Sequence, residues 1–239
     1  MNVNVLFSSA DVLLGIVFTT LVVRQYLARR KMHQLMWAIA IAMWTIATAA
    51  ELLATLNGWS SLTYRAYYAT GALLIPAWLG MGTLYLIFHN QWPNRILLML
   101  TLLSLLGIFL IAIWQIDESI LIKSDAQFVP LKVFPFFPIQ LLLIVLNIFG
   151  TIAFAGGALW SAYKFARTRT MGDRVLATVL IGVGGFIAAG AHSLGVVSGI
   201  ELFRVSELVA LIVIFIGFLL SSPSPQKNSV AAPVSNTSH

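Results

Sequence analysis

The chain contains no cysteine, which excludes disulfide frameworks, thiolate catalysis, iron–sulfur ligation and cysteine-based zinc sites together. Charge is nearly as scarce. Only 9% of the 239 residues are charged, against about 25% in an ordinary soluble domain. Lys31, Lys123, Lys132 and Lys227 fall in polar stretches and Lys164 at the surface end of an apolar run, so a retinal Schiff base is excluded. There is no HExxH, no Ser/His/Asp set, no carboxylate pair at metal-ligand spacing and no glycine-rich phosphate loop. The polar connections on one side are too short to hold a catalytic domain. No catalytic residue, no metal site and no cofactor is expected, and the chain reads as non-enzymatic.

What is present is hydrocarbon, with 59% of the residues hydrophobic. A water-soluble globule of this size has no interior large enough to hide so much apolar surface. A bilayer-crossing helix needs about 20 apolar residues, and the chain offers seven such runs. They are, roughly, Val5 to Tyr26, Leu35 to Leu56, Thr63 to Phe88, Arg95 to Gln115, Pro138 to Ala166, Arg174 to Gly199 and Val205 to Ser221. The runs are continuous rather than alternating every second residue, which excludes a transmembrane β-barrel. The expectation is an all-α, polytopic seven-helix transmembrane domain over residues 1–222. The polar Pro/Ser/Asn-rich tail at 223–239 holds too little apolar surface to offset its ordering entropy and is expected to be disordered.

Orientation follows from basic residues. Ten of the fourteen Lys and Arg fall on one side of a seven-span layout, leaving Arg65, Lys123, Lys132 and Arg204 on the other. Basic residues favour the cytoplasmic side, so the N-terminus is expected outside and the C-terminus inside. The first run has no positive segment before it and no small-residue cleavage site, and reads as a retained helix rather than a signal peptide. The net charge of +6 then lies where anionic lipid attracts it, and no nucleic-acid partner is expected. Trp37 and Trp92 toward the inside, with Trp59 and Trp114 toward the outside, fit interfacial belts. The longest connection, Ile116 to Phe137, is punctuated by Pro135 and Pro138. It is either a cap over the bundle or an interfacial segment. Glycines crowd the fifth and sixth runs, including Gly150, Gly156, Gly157, Gly182, Gly184, Gly185, Gly190 and Gly195, where close helix packing is expected.

An ionisable group near mid-bilayer costs about 2.5–3.5 kcal/mol on insertion scales, so each wants a partner, a cavity or a function. Asp11, Glu51, His192 and Glu207 qualify, and the orientation puts all of them toward the outer ends of their spans. Asp11 is close enough to the surface to be solvated. Glu207 opens the seventh span, where the helix dipole favours an acid, and Arg204 stands three residues before it. His192 shares a face with Gly185, Ala188, Gly195 and Gly199 and so points into the bundle. His33 and His89 lie at the inner surface, so no second intramembrane histidine completes a haem site. Glu51 continues a stripe with Trp37 and Trp44 at seven-residue spacing. The short turn NGWSSL makes the third span an antiparallel neighbour, bringing Arg65 and Tyr68 toward Glu51. That pair is either a structural lock between two helices or one wall of a ligand pocket. The expected pocket residues are Glu51, Arg65, Tyr64, Tyr68, His192 and Glu207. Pro76 is expected to kink the third span.

Two resemblances attach to quoted segments. MWAIAIAMWTIATAAELL with YRAYYATGALLIPAWLGMGTLYLIF resembles the second and third helices of the seven-helix sensor modules at the N-termini of some bacterial histidine kinases. Through YYATGALLIPAWLGMGTLYL, LNIFGTIAFAGGALWSAYKFAR and RVLATVLIGVGGF, most of the chain resembles a group of uncharacterised bacterial seven-helix membrane proteins, a likeness that implies no activity. Unlike the sensor kinases, this sequence shows no output domain, so a signal is expected to pass through a separate membrane or cytoplasmic protein partner.

The preferred expectation is a receptor-like or sensor-like bundle in the bacterial inner membrane, with an outward-facing polar pocket for a small-molecule ligand. Two other classes stand beside it. One is a transporter or channel with Glu51 as a proton or cation site, against which weigh the lack of repeat symmetry and of polar groups in the inner halves. The other is a structural subunit of a larger membrane complex.

Overall fold

The computed structural model describes residues 3–88, 90–123, 133–167, 172–198 and 200–221, with side chains omitted at 3, 4, 122, 123, 165, 172–174, 191–198 and 200–203. The expectations for His89, for Gly199, for the middle of the 116–137 connection and for the polar tail fall outside the described residues, and those for His192 and Gly195 fall where only the backbone is described.

Among the described residues every regular element is helical. In chain order these are α1 (Val3–Arg29), α2 (Met32–Asn57), α3 (Ser61–Tyr67), a π-helical stretch π1 (Tyr68–Leu74), α4 (Ile75–Ile87) and α5 (Trp92–Ile113). A short α6 (Glu118–Lys123) precedes π2 (Phe136–Gln140), α7 (Leu141–Thr151), π3 (Ile152–Gly156), α8 (Gly157–Arg167), α9 (Gly172–Ser198) and α10 (Ile200–Ser221). Six helical stretches are long and apolar enough to cross a membrane: Val5–Arg29, Met32–Asn57, Ser61–Ile87, Trp92–Ile113, Phe136–Lys164 and Arg204–Ser221. A shorter apolar run, Val175–Gly190, lies in α9. Large side chains such as Leu13 (66% exposed) and Ile152 (69%) face outward. Such apolar surface, unusable in water, suits hydrocarbon. This is a multi-pass membrane protein.

The helices form a ring. α1 packs on α2, α2 on the α3–π1–α4 unit, that unit on α7–π3–α8, α8 on α9, α9 on α10, and α10 back on α1. α5 stands outside the ring against π1 and α4, tied by Trp78 Nε1 donating to Ser104 Oγ at 3.1 Å. Tight turns set the neighbours. Arg30 takes a positive φ of 53° between α1 and α2. After α2 the chain reverses at Gly58, whose φ of 83° suits a residue without Cβ. Ser60 then caps α3, accepting from the Thr63 amide at 3.2 Å while Thr63 Oγ1 accepts from the Ser60 amide at 2.9 Å, a reciprocal box that satisfies two first-turn donors.

Pro76 does what its chemistry requires, and the neighbouring helix is built around it. In α-helical register the Ala72 carbonyl would accept from residue 76, but proline has no N–H. Instead the Asn147 side-chain amide of α7 donates to Ala72 O at 2.8 Å and, with its other hydrogen, to Leu143 O at 2.8 Å. One turn on, Gly150 lies against the proline itself. A methyl group there would sit 2.1 Å from the Pro76 carbonyl carbon. Where a kink was expected, the helix carries π1, which ends where α4 begins with Pro76 in its first turn.

Several of the glycines in the fifth and sixth runs do pack as close contacts. Gly157 meets Thr83, Gly185 meets the Phe154 ring and Gly184 meets Ile214 and the Ala210 carbonyl, whereas Gly156 and Gly190 have nothing within 4 Å among the described residues. Trp59 departs from its expected place in an interfacial belt. It is 6% exposed and its ring packs edge-on against Tyr64 and Tyr67 at 5.8 and 5.6 Å, because the three-residue turn folds it back over α3. From the long connection, Leu121 and Phe134 are both buried in the core, so the described ends of that segment lie over the bundle.

Candidate functional site

Antiparallel helices joined by a short turn face each other at positions equidistant from its centre. The turn between α2 and α3 is centred on Trp59, and Gly71 lies against Ala47, each twelve residues away. Glu51, eight residues before Trp59, therefore looks at Tyr67, eight residues after it. Tyr67 is buried and close enough to Glu51 and Glu207 for their charges to act on it.

The expected Glu51–Arg65 pair is not formed. Arg65 is two residues from Tyr67, about 200° around the helix, and so points away from α2. Its Nη1 donates to the carbonyls of Ile111 and Ala112, the latter at 3.0 Å, and Nη2 donates to Trp114 O at 2.6 Å. Nε donates to Ser61 Oγ at 3.2 Å. Arg65 is a cap on the C-terminal end of α5, where a cation suits both the free carbonyls and the helix dipole. Tyr68, on the same side as Arg65, packs against the Phe134 ring at 4.7 Å. Tyr64 is 1% exposed and bridges the two groups, with Trp59 on one side and Tyr68 and Phe134 on the other.

The cation whose charge reaches Glu51 is Arg204, the residue sequence reasoning left out of the site. Arg204 is 2% exposed. Its guanidinium reaches from α10 to two other helices, donating through Nη1 to Ser8 Oγ of α1 and through Nη2 to Thr55 Oγ1 of α2, the latter at 3.0 Å. Asp11, Glu51 and Glu207 all lie close enough to feel its charge. Asp11 was expected to be solvated, but it is 3% exposed, because α1 begins eight residues before it and is covered by α2 and α10. Parallel packing of α1 and α10, marked by Phe18 against Phe215 and Phe218 at 5.0 and 5.3 Å, brings Ser8 and Asp11 to the level of Arg204 and Glu207.

The site thus joins Asp11 of α1, Glu51 of α2, and Arg204 and Glu207 of α10, with Tyr67 beside them. Among the described residues, Asp11 Oδ1, Glu51 Oε1, Glu207 Oε2 and Arg204 Nε are all buried without a hydrogen-bond partner. α9 and α10 are antiparallel, with Gly184 against Ala210 and Ile214 and Gly217 against Ala177 and Ile181. That register sets the backbone of His192 at the level of Arg204. No group of three or more His, Asp or Glu among the described residues is arranged to hold a metal ion.

The opposite half of the ring is different in kind. Phe18, Trp37, Ile41, Leu79, Phe154, Ile181, Ile214 and Phe218 surround a narrow apolar hollow, and the one indole N–H among them, on Trp37, is spent on Leu79 O at 3.2 Å. Fourteen residues of α2, about 21 Å of helix, separate Trp37 from Glu51. Compared with known protein families, with curated proteins and with solved structures, the chain finds no match in any of the three.

Proposed function

We propose that this protein is a non-enzymatic, receptor-like module of the bacterial inner membrane: seven spans, N-terminus outside, C-terminus inside. On this reading α9 is the remaining span. Its apolar run packs antiparallel along α10, and the basic residues crowd the side on which α1 ends. The chain then passes its signal to a separate protein, in keeping with its resemblance to the sensor modules of histidine kinases.

The observation that carries this reading is the buried cluster at the end of the bundle where α1 begins. Buried charges are normally paired and hydrogen-bonded. Here, four ionisable side chains from three helices each carry a buried atom with no hydrogen-bond partner among the described residues. Polar groups held at such cost inside a span are a functional signature. The apolar hollow lower in the ring favours a pocket closed at its base over a path through the membrane.

The absence of native cysteine makes the test clean. Thr48, one turn below Glu51 and 1% exposed, is replaced with cysteine in the full chain, reconstituted in oriented vesicles. Membrane-impermeant thiosulfonate reagents are then applied to each face. Reaction from the outer face alone is expected. Reaction from both faces would replace the receptor with a transporter, and no reaction from either would leave a structural core.

A further inference from the structure

We propose that His33 is a proton-operated switch at the end of the bundle where α1 ends. A proton taken up by its imidazole changes its contact with Trp37 and, through that indole, the tie between α2 and α4. The switch stands apart from the carboxylate cluster, eighteen residues of α2 away from Glu51, or about 27 Å of helix.

His33 lies in the first turn of α2 and is partly exposed, so protons from solvent reach it. Histidine is the side chain whose charge ordinarily changes between about pH 5 and 8. The charges that act on His33 belong to Lys31 and Arg29. From α1, Arg24 and Arg29 are both exposed, and in the turn Arg30 is drawn over the Tyr26 ring, 5.8 Å from its centroid. On the facing α4, the titratable group near this end is Tyr85, whose hydroxyl donates to Asn94 Oδ1 at 2.6 Å. The described charges around His33 are therefore cations, and a new positive charge on the imidazole is met by an aromatic ring instead of a carboxylate.

That ring is the Trp37 indole, one turn along α2. The two rings are nearly perpendicular at 71°, with centroids 5.4 Å apart. A cation within about 6 Å of a ring centroid is attracted by the quadrupole, and tryptophan is the strongest such partner. Protonation thus turns a neutral aromatic contact into an ion–quadrupole one without moving either helix first.

Trp37 is also the hold of α2 on α4. Its Nε1 donates to Leu79 O at 3.2 Å, and the ring lies so close to the α4 backbone that a methyl group on Gly82 would sit 2.2 Å from Cδ1. Leu79 O accepts the Thr83 hydroxyl as well, at 3.3 Å. Both bonds fall at the long end of the usual range, and a carbonyl with two side-chain donors keeps one when the other withdraws. A modest pull on the indole is enough to reset this tie. The same indole lines the apolar hollow with Phe18, Phe154 and Phe218, so its displacement is felt on α1, π3 and α10 together. With the orientation proposed above, the acidity being read is that of the cytoplasm.

The full chain, isotope-labelled at its indole nitrogens and held in lipid nanodiscs, is titrated from about pH 8 to about pH 5 while the indole N–H resonances are followed. The Trp37 signal is identified by its loss in Trp37→Phe. It is expected to move through a one-proton transition in the native chain and to stand still in His33→Gln, with His33→Asn as the second variant should that protein fail to fold. Trp78 is the internal reference, being on α4 but turned toward α5, where its Nε1 donates to Ser104 Oγ at 3.1 Å. Its signal should hold its place throughout. A Trp37 signal that does not move overturns the switch. So does one that moves alike in His33→Gln and His33→Asn, or one that moves only in step with Trp78.

Discussion

Replacing Asn147 with alanine tests whether α7 is built around the proline of the third span. The Asn147 amide spends both of its hydrogens, one on Leu143 O in its own helix and one on Ala72 O across the interface. The first carbonyl has helical partners of its own; the second is the carbonyl from which Pro76 withholds a donor. Interhelical hydrogen bonds in membrane proteins average about 0.6 kcal/mol, with a maximum near 1.7. A buried carbonyl left without its donor costs about 1–3 kcal/mol. Asn147→Ala is therefore expected near the top of the membrane range, about 1.5 kcal/mol. In a Pro76→Ala background, residue 76 regains an N–H that reaches Ala72 O, so the same substitution should cost about 1 kcal/mol less. The assay is reversible unfolding in mixed micelles of the four proteins of the cycle. If the two substitutions add to within about 0.5 kcal/mol, Asn147 is not standing in for the missing donor and the account of the kink is wrong.

Three further outcomes follow from the packing. Gly150→Ala should destabilise by at least about 1–3 kcal/mol, because its methyl group meets the Pro76 backbone, whereas Gly156→Ala, with no described residue within 4 Å, should be neutral or slightly stabilising; melting temperatures in detergent distinguish them. Arg204→Met should cost about 3–5 kcal/mol, as expected when buried acids lose a cation held beside them, and adding Glu51→Gln should restore part of it; strict additivity would place the two residues in separate environments. Arg65→Met should speed hydrogen exchange at the Trp114 amide by uncapping α5 while leaving the labelling of Thr48→Cys intact, and loss of that labelling would return Arg65 to the pocket.

The helical character and the apolar runs were legible because hydrocarbon length and missing charge are strong signals. Glu51 and Pro76 were legible for the same reason, since each breaks a local rule. The partner of Glu51 was not. Arg65 looked suitable by depth, but depth along a helix says nothing about phase. Counting outward from the centre of the turn at Trp59 would have returned Tyr67. Arg204 was passed over because, three residues before Glu207, it had a ready local partner. Its actual partners, Ser8 and Thr55, lie 196 and 149 residues away, and no window on the sequence joins them. Asn147 carried no signal at all, since a lone amide in an apolar run acquires meaning only once the carbonyl it meets is known.

The π stretch between Tyr68 and Leu74 sits between two anchored halves of one helix. Below it, the Pro76 backbone is packed against Gly150; above it, Tyr67 is held under Trp59 and opposite Glu51. A π turn carries an i to i+5 bond where an α turn carries i to i+4, so the stretch stores one residue of slack. Each residue of helix is worth about 100° of rotation. Drawing out that residue would turn the upper half like the barrel of a lock, moving Tyr67 off Glu51 while everything from Pro76 onward stayed still. Which side chain faces the buried acid is thus decided by the winding between them, and a change in winding is a movement that a helix can transmit along its length.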